Sequence, residues 1–370
     1  MRAREEVVIM IINIIPGDYI INAPMQFDPW TVQSDFVCKA IQIKNDSELL
    51  LTMKGINFQL YAEGRKVKEI NYEGDALENL IQHFPDKIKF HNEWDTKVMV
   101  GREKFWDIEK LSEGINLQPN QEIGILNEYF IVIYPKPIDQ VILSVEHWKG
   151  SELLTEQRTI PVIAYQTKNA YTFPVKGVWQ VNGNYDCYGA HRTQYSMEFA
   201  FDLGKVDTDT VYEKDEDYIW FGKEILAIGD GEVVECFNDA TLRVNFPHDA
   251  EQDPKVLEER KQFVKQHGRT PLQCGNYVVI RQDNGEYSFY GHLIYQSVTV
   301  KQGDMVKQGQ VIGRIGNTGK SACPHLHFQL MNGQDYSTSR GLPCHFTNIT
   351  DAQRRRLHLV NEEYTIVIAI

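Results

Sequence analysis

The stretch Tyr277-Val-Val-Ile-Arg-Gln-Asp-Asn-Gly285-Glu-Tyr-Ser-Phe-Tyr290-Gly-His292 decides how this chain is built. Tyr277 to Arg281 and Glu286 to Tyr290 are rich in β-branched and aromatic residues, and Asp283-Asn284-Gly285 stands between them. Asn-Gly between two such runs is a strong hairpin signal, because the tight turn that matches strand twist needs positive φ at its centre. The second strand of this hairpin runs directly into a histidine, His292.

Working outward, the strand pattern continues on both sides. Upstream, Glu224 to Ala227 and Glu232 to Cys236 flank the turn Gly229-Asp230-Gly231; downstream come Val298 to Val300, Met305-Val306, Val311 to Ile315 and His325 to Leu330. Together they predict an antiparallel β domain. One segment breaks the pattern. Asp253 to His267 has Pro254 near its start and Gly268 after its end, which predicts a helix inserted between strands. It is read either as a lid or cleft wall, or as a plain surface insert. Tyr364 to Ile370 reads as a closing strand that could return to the first domain.

The first 165 or so residues are also β-rich. Ile56, Phe58 and Leu60 alternate with polar neighbours, Glu63-Gly64-Arg65 supplies a turn, and Val67 to Ile70 is a candidate return strand. Tyr129 to Tyr134 and Val141 to Val145 are further strands, punctuated by Pro135 and Pro137, and Asp75 to His83 is a short helix with Leu77, Leu80 and Ile81 on one face. Short strands with turn signals predict a β-sandwich of immunoglobulin-like type. The expected fold class is therefore all-β: a β-sandwich over 1–170, an antiparallel β domain with a helical insertion over 171–349, and a carboxy-terminal strand segment over 350–370.

Composition narrows the function. The chain has 370 residues, 42% apolar and 24% charged, which is ordinary for a folded protein and too apolar for disorder. Against 38 Lys and Arg stand 51 Asp and Glu, a formal charge of -13. So acidic a surface repels a phosphate backbone, so nucleic acid is not an expected partner. The cysteines at 38, 187, 236, 274, 323 and 344 form no Cys-x-x-Cys pair, which excludes a zinc ribbon or thioredoxin-like motif, and they are read as buried thiols. No apolar run reaches the ~18 residues of a membrane span. Val7 to Ile15 has the length of a signal core, but Arg2 and Arg4 are offset by Glu5 and Glu6 and no small-x-small cleavage site follows, so it is read as an opening strand, with a degraded or clipped signal as the alternative, and no clear signal peptide is visible.

The chemistry concentrates in Pro324-His325-Leu326-His327-Phe328. Side chains alternate along a strand, so His325 and His327 share a face and can act on one ion or one substrate. His292 ends a strand of the same sheet. Further back, His191 to Asp202 combines a His, a Glu (Glu198) and an Asp just before the sheet. The remaining histidines, at 83, 91, 147, 248, 267, 345 and 358, stand singly and are read as surface or core residues.

With these motifs in place, residues from about 185 to 345 resemble the lysostaphin- or LytM-type zinc endopeptidases, which cleave peptide cross-links of bacterial cell walls. The resemblance rests on Ala200-Phe-Asp202, Glu224 to Val234, Gly275 to Ile280, Tyr290-Gly-His-Leu293, Val300 to Gly313, Gly316-Asn-Thr-Gly319 and Pro324 to Phe328, in the family's order. It implies one zinc per chain, held by Asp202, His327 and an early His, with His292 and His325 beside the reacting water. The family's His-x-x-x-Asp has Glu198 at its first position here. His191 is preferred as the early ligand, and Glu198 remains the alternative or a partner of a ligand His. Cys323 stands where the family has Gly, and Gln329 where it often has Glu.

Three protein ligands leave zinc an open position for water, whose pKa falls to about 7. One His can then act as general base, assigned to His325, and the other can stabilise the oxyanion, assigned to His292, with the two roles exchangeable. The implied substrate is a peptidoglycan peptide and the implied location extracytoplasmic. The competing reading is a catalytically silent LytM-like module that binds or activates another wall hydrolase. Gly303 to Gly309 also brings biotinyl or lipoyl carrier domains to mind, but Asn317-Thr-Gly-Lys320 lacks the Met-Lys pair those carriers modify.

Overall fold

The computed structural model describes residues 9–89, 100, 104–182, 199–204, 212–241, 254–358, 360 and 365–370. The chain forms two compact units that divide between Tyr165 and Gln166.

The first unit is built of two sheets on a shared core, with a second apolar cluster around Phe84, Ile88 and Trp106. In one, Val32–Asn45 is flanked by Met10–Ile15 and Glu122–Tyr134, all antiparallel. In the other, the strand order is Ile20–Asn22, Glu152–Ala164, Gln140–Lys149, Leu51–Ala62, Arg65–Glu73. Period-two alternation sends Ile56, Phe58, Leu60, Val141, Leu143 and Val145 inward, where they meet Phe36, Ile41 and Ile43 of the facing sheet. Phe130 joins the sheets, with ring centroids 5.3 Å from Phe36 and 5.4 Å from Phe58. The helix expected over Asp75 to His83 extends to Lys89 and carries Pro85 inside it. Leu77, Ile81, Phe84 and Ile88 are all buried along one stripe, and this burial outweighs the hydrogen bond that Pro85 cannot donate.

The second unit centres on a large sheet with the order Met305–Val306, Gly231–Phe237, Asn276–Gln282, Tyr287–Leu293, Leu326–Met331, Phe201–Gly204, Gly177–Asn182, Ile366–Ala369, Ile349–Thr350, Arg356–Leu357. The hairpin read from Asp283-Asn284-Gly285 is present, with Arg281 opposite Tyr287 and Gly285 at φ 80°. Glu224–Leu226 pairs with Val311–Arg314 in a separate small sheet. The expectation that the closing strand might return to the first domain is corrected. Ile366–Ala369 pairs with Gly177–Gln180 and with Ile349–Thr350, inside the second unit. The inserted helix is Pro254–His267, and its Phe263 and His267 pack on Phe237 of an outer strand, centroids 6.3 and 5.2 Å away. Among the described residues no helix is long and apolar enough to cross a membrane.

His147 of the first unit is an exception to the rule that buried polar groups are paired. It lies on Gln140–Lys149, between Met53 and Leu154 on the neighbouring strands, fully buried, and neither ring nitrogen has a partner. Burial, aided by nearby Lys149, pulls its pKa below the ordinary 6.5. The unfolded chain therefore takes up a proton that the folded chain refuses. The stability His147 allows is intact above about pH 6.5 and falls as pH drops through the interval down to the folded-state pKa. Melting temperatures of wild type and His147→Leu between pH 8 and 5 should diverge toward acid, with the variant the less acid-sensitive. Parallel curves would contradict this.

Candidate metal and catalytic site

Register brings the site together. Asp202 on Phe201–Gly204 lies directly opposite His327 on Leu326–Met331, and His327 in turn lies opposite Gly291, the residue before His292. Because side chains alternate, the same pairing places Phe201 opposite Phe328 on the reverse face, centroids 5.1 Å apart. Phe173 and Phe346 extend that aromatic floor. One face of three strands is thus apolar and fixed, and the other carries the chemistry.

The carboxylate of Asp202 receives two rings, one on each oxygen. Nδ1 of His327 lies 3.1 Å from Oδ1, and Nε2 of His325 lies 3.5 Å from Oδ2. His292 and His325 have ring centroids 4.5 Å apart, and His292 and His327 6.0 Å. His327 is 3% exposed and its Nε2 lies 3.0 Å from Oε1 of Gln329. Phe289 and Tyr336 stand edge-on to its ring.

Backbone carbonyls fix the proton on the other two histidines. Nδ1 of His325 is 2.8 Å from the carbonyl of Cys323, and Nδ1 of His292 is 2.8 Å from the carbonyl of Thr318. A carbonyl only accepts, so each Nδ1 carries the hydrogen and each neutral ring keeps a lone pair at Nε2. Ser321 supports His325, its Oγ lying 3.1 Å from Nδ1 and donating to the Cys323 carbonyl at 2.8 Å. Burial among the cationic forms of His325 and His327 pushes the pKa of His292 well below 6.5. His292 also holds φ at 64°, a conformation rare outside glycine and frequent at functional sites.

The Thr318 carbonyl is positioned by two glycines. Gly275 and Gly319 have φ of 66° and 75°, and a Cβ on either would collide with the other's segment, on Thr318 or on the backbone at 273–275. Asn276, fully buried, closes the same junction: its N–H donates to Thr318 Oγ1 at 2.9 Å and its amide binds the carbonyls of Ala240 and Leu293. Trp220 Nε1 donates to the Pro324 carbonyl at 2.6 Å and steadies entry into the His-x-His strand.

Four of the expected site residues, Asp202, His292, His325 and His327, are therefore side by side. His191 and Glu198, the candidates for the early ligand, lie outside the described residues. Among the described residues no group of three or more His, Cys, Asp or Glu is complete as a metal site. The donors that are described fit zinc in kind and spacing. An imidazole nitrogen and a carboxylate oxygen are its usual ligands, and two atoms bound to one tetrahedral zinc stand about 3.3 Å apart. Sequence reasoning passed over Ser321, Trp220 and the Thr318 carbonyl, whose roles depend on loop contacts, and drew nothing from Gln329.

Residues 250–338 match the model of peptidase family M23. Peptidoglycan DD-endopeptidase ShyC of Vibrio cholerae is 52% identical over 60 residues, 16% of this chain and 13% of that protein. Glycyl-glycine endopeptidase ALE-1 of Staphylococcus capitis is 38% identical over 94 residues, 25% of this chain and 23% of that protein. The catalytic domain of lysostaphin from Staphylococcus simulans aligns at 24% identity over 44% of this chain and 88% of that one, with a TM-score of 0.28. Within the second unit, residues 250–338 thus match a domain of peptidase family M23. The match spans less than a quarter of the length of either curated relative.

Gly319→Ala should free the Thr318 carbonyl from His292. Chemical denaturation should record a loss of more than ~1 kcal/mol, from positive φ and the collision together. Stability within ~0.5 kcal/mol of wild type would contradict the tight junction.

Proposed function

We propose that this protein is a zinc-dependent endopeptidase that hydrolyses peptide bonds in peptidoglycan cross-links, acting outside the cytoplasm where that polymer lies. The observation that carries the reading is the single carboxylate of Asp202 facing Nδ1 of His327 and Nε2 of His325. The relatives' names as peptidoglycan and glycyl-glycine endopeptidases support the substrate class.

Asp202 and His327, with His191 as the early ligand, would hold one zinc per chain. Bound there, zinc would polarise the scissile carbonyl and acidify a water. The chain's own residues supply the proton transfers. His325, its Nδ1–H tied to the Cys323 carbonyl, has its lone pair at Nε2, beside Asp202, to take a proton from water and pass it to the leaving amine. His292 is neutral at rest with an acceptor at Nε2, because Nδ1–H is engaged by Thr318. To stabilise an oxyanion it must take up a further proton at Nε2 from bulk solvent, distinct from the one His325 carries, and return it when the charge is gone. Negative charge developing beside it favours that protonation and opposes the effect of burial. The stabilising role is thus confined to the moment when charge appears.

Zinc content by elemental analysis and release of peptide from purified peptidoglycan test the proposal. Wild type should carry one zinc and hydrolyse the polymer. His327→Ala should lose both, and His325→Ala should keep zinc while turnover drops ~10²–10⁴-fold. Wild-type protein that binds no zinc would favour the silent module. Full activity in both variants would end the assignment.

A further inference from the structure

Gln329 follows His327 by two residues on the strand Leu326–Met331, so both side chains rise from one face. Each is 3% exposed, and Oε1 of Gln329 lies 3.0 Å from Nε2 of His327. We propose that Gln329 is a positioning residue: its side-chain oxygen accepts the Nε2 hydrogen of His327 and so favours the ring form whose Nδ1 can take a cation beside Asp202. The inference rests on the zinc-site reading above and adds what sets the ligand's tautomer.

A neutral imidazole has one hydrogen to place. Whichever nitrogen meets a fixed acceptor keeps it, and the other becomes the donor atom for a cation. At His325 and His292 that acceptor is a backbone carbonyl, from Cys323 and Thr318, on Nδ1. His327 is the odd one out. Its Nδ1 faces the Asp202 carboxylate at 3.1 Å, and left to itself a neutral ring there would place its hydrogen on Nδ1, between the two. That would block the lone pair a metal needs. An acceptor at Nε2 gives that hydrogen a second place to go, so a cation arriving at Nδ1 can displace it at little cost, and burial keeps water from competing for either nitrogen. Phe289 and Tyr336, standing edge-on at centroid distances of 6.0 and 6.1 Å, restrict rotation of the ring, and Gln329 adds a directed partner at Nε2.

Gln at this position also has a consequence that Glu would not. An amide oxygen orients the ring without adding charge, so Asp202 stays the one formal negative group among the described residues that touch His327. A carboxylate at 329 would pull harder on the Nε2 hydrogen and make Nδ1 a stronger ligand.

The test uses the full chain. Zinc affinity is measured by competition with a chromophoric chelator, and the His327 tautomer by long-range 1H–15N NMR of zinc-free and zinc-bound protein. Zinc-bound wild type should show hydrogen on Nε2 of His327. Gln329→Leu should weaken zinc binding 10–100-fold, the usual cost of losing such a partner, and shift the hydrogen toward Nδ1. Gln329→Glu, which keeps the acceptor, should bind zinc at least as tightly as wild type, and decides the matter with the wild-type spectrum if the Leu variant does not fold. Zinc-bound wild type without hydrogen on Nε2, or tight zinc binding by the folded Leu variant, overturns the proposal, as does a Glu variant weaker than wild type. His327→Ala separates this from the underlying reading: if it retains zinc, the site itself is wrong, whereas loss of zinc there with no effect at 329 removes only the role of Gln329.

Discussion

The cross-strand pair of Asp202 and His327 is the constraint on which the rest of the site depends. Their strands are neighbours in register, and the side chains meet at 3.1 Å because the pleat sends both to one face. The same register stacks Phe201 on Phe328 below. A slip of one residue would bury the acid and the imidazole in the aromatic layer and lift the phenyl rings into the site. Hydrophobic burial on one face therefore enforces polar geometry on the other, and the chemistry needs no separate device to hold its two central groups together.

Around this pair, each histidine is oriented by a neutral oxygen. Thr318 and Cys323 offer carbonyls to His292 and His325, and Gln329 lies against His327. Neutral acceptors suit a crowded site. They fix which nitrogen is available without adding charges whose mutual repulsion would have to be offset in a medium that screens poorly. The cost falls on the backbone. His292 itself holds a positive φ, and the loop that supplies Thr318 packs so closely on 273–276 that glycine is needed on both sides. Positive φ and close backbone approach thus meet within a few residues of the reacting groups.

The first unit follows a different economy. Its two sheets share one aromatic and aliphatic core, and His147, one of the titratable groups buried in this unit, has no hydrogen-bond partner on either ring nitrogen. An imidazole surrounded by apolar strands tolerates its position only while neutral. This ties the unit's stability to pH without giving it chemistry, in contrast to the second unit, where every described site histidine has an oxygen within hydrogen-bonding distance.

Much of this was legible in the residues alone. Asp-Asn-Gly between two β-branched runs specified the 276–293 hairpin, Pro254 and Gly268 bounded the inserted helix, and the two-residue spacing put His325 and His327 on one face, because turn chemistry and side-chain period are local properties. The helix beginning at Asp75 outran its reading, since only burial of Phe84 and Ile88 shows that Pro85 does not end it. The destination of the closing strand, the partner of Glu224–Leu226, and the oxygens that orient the three rings were decided by tertiary structure. They depend on which distant segments meet, and a single chain's pattern of apolar and polar residues records the face a side chain takes, not the neighbour it finds there.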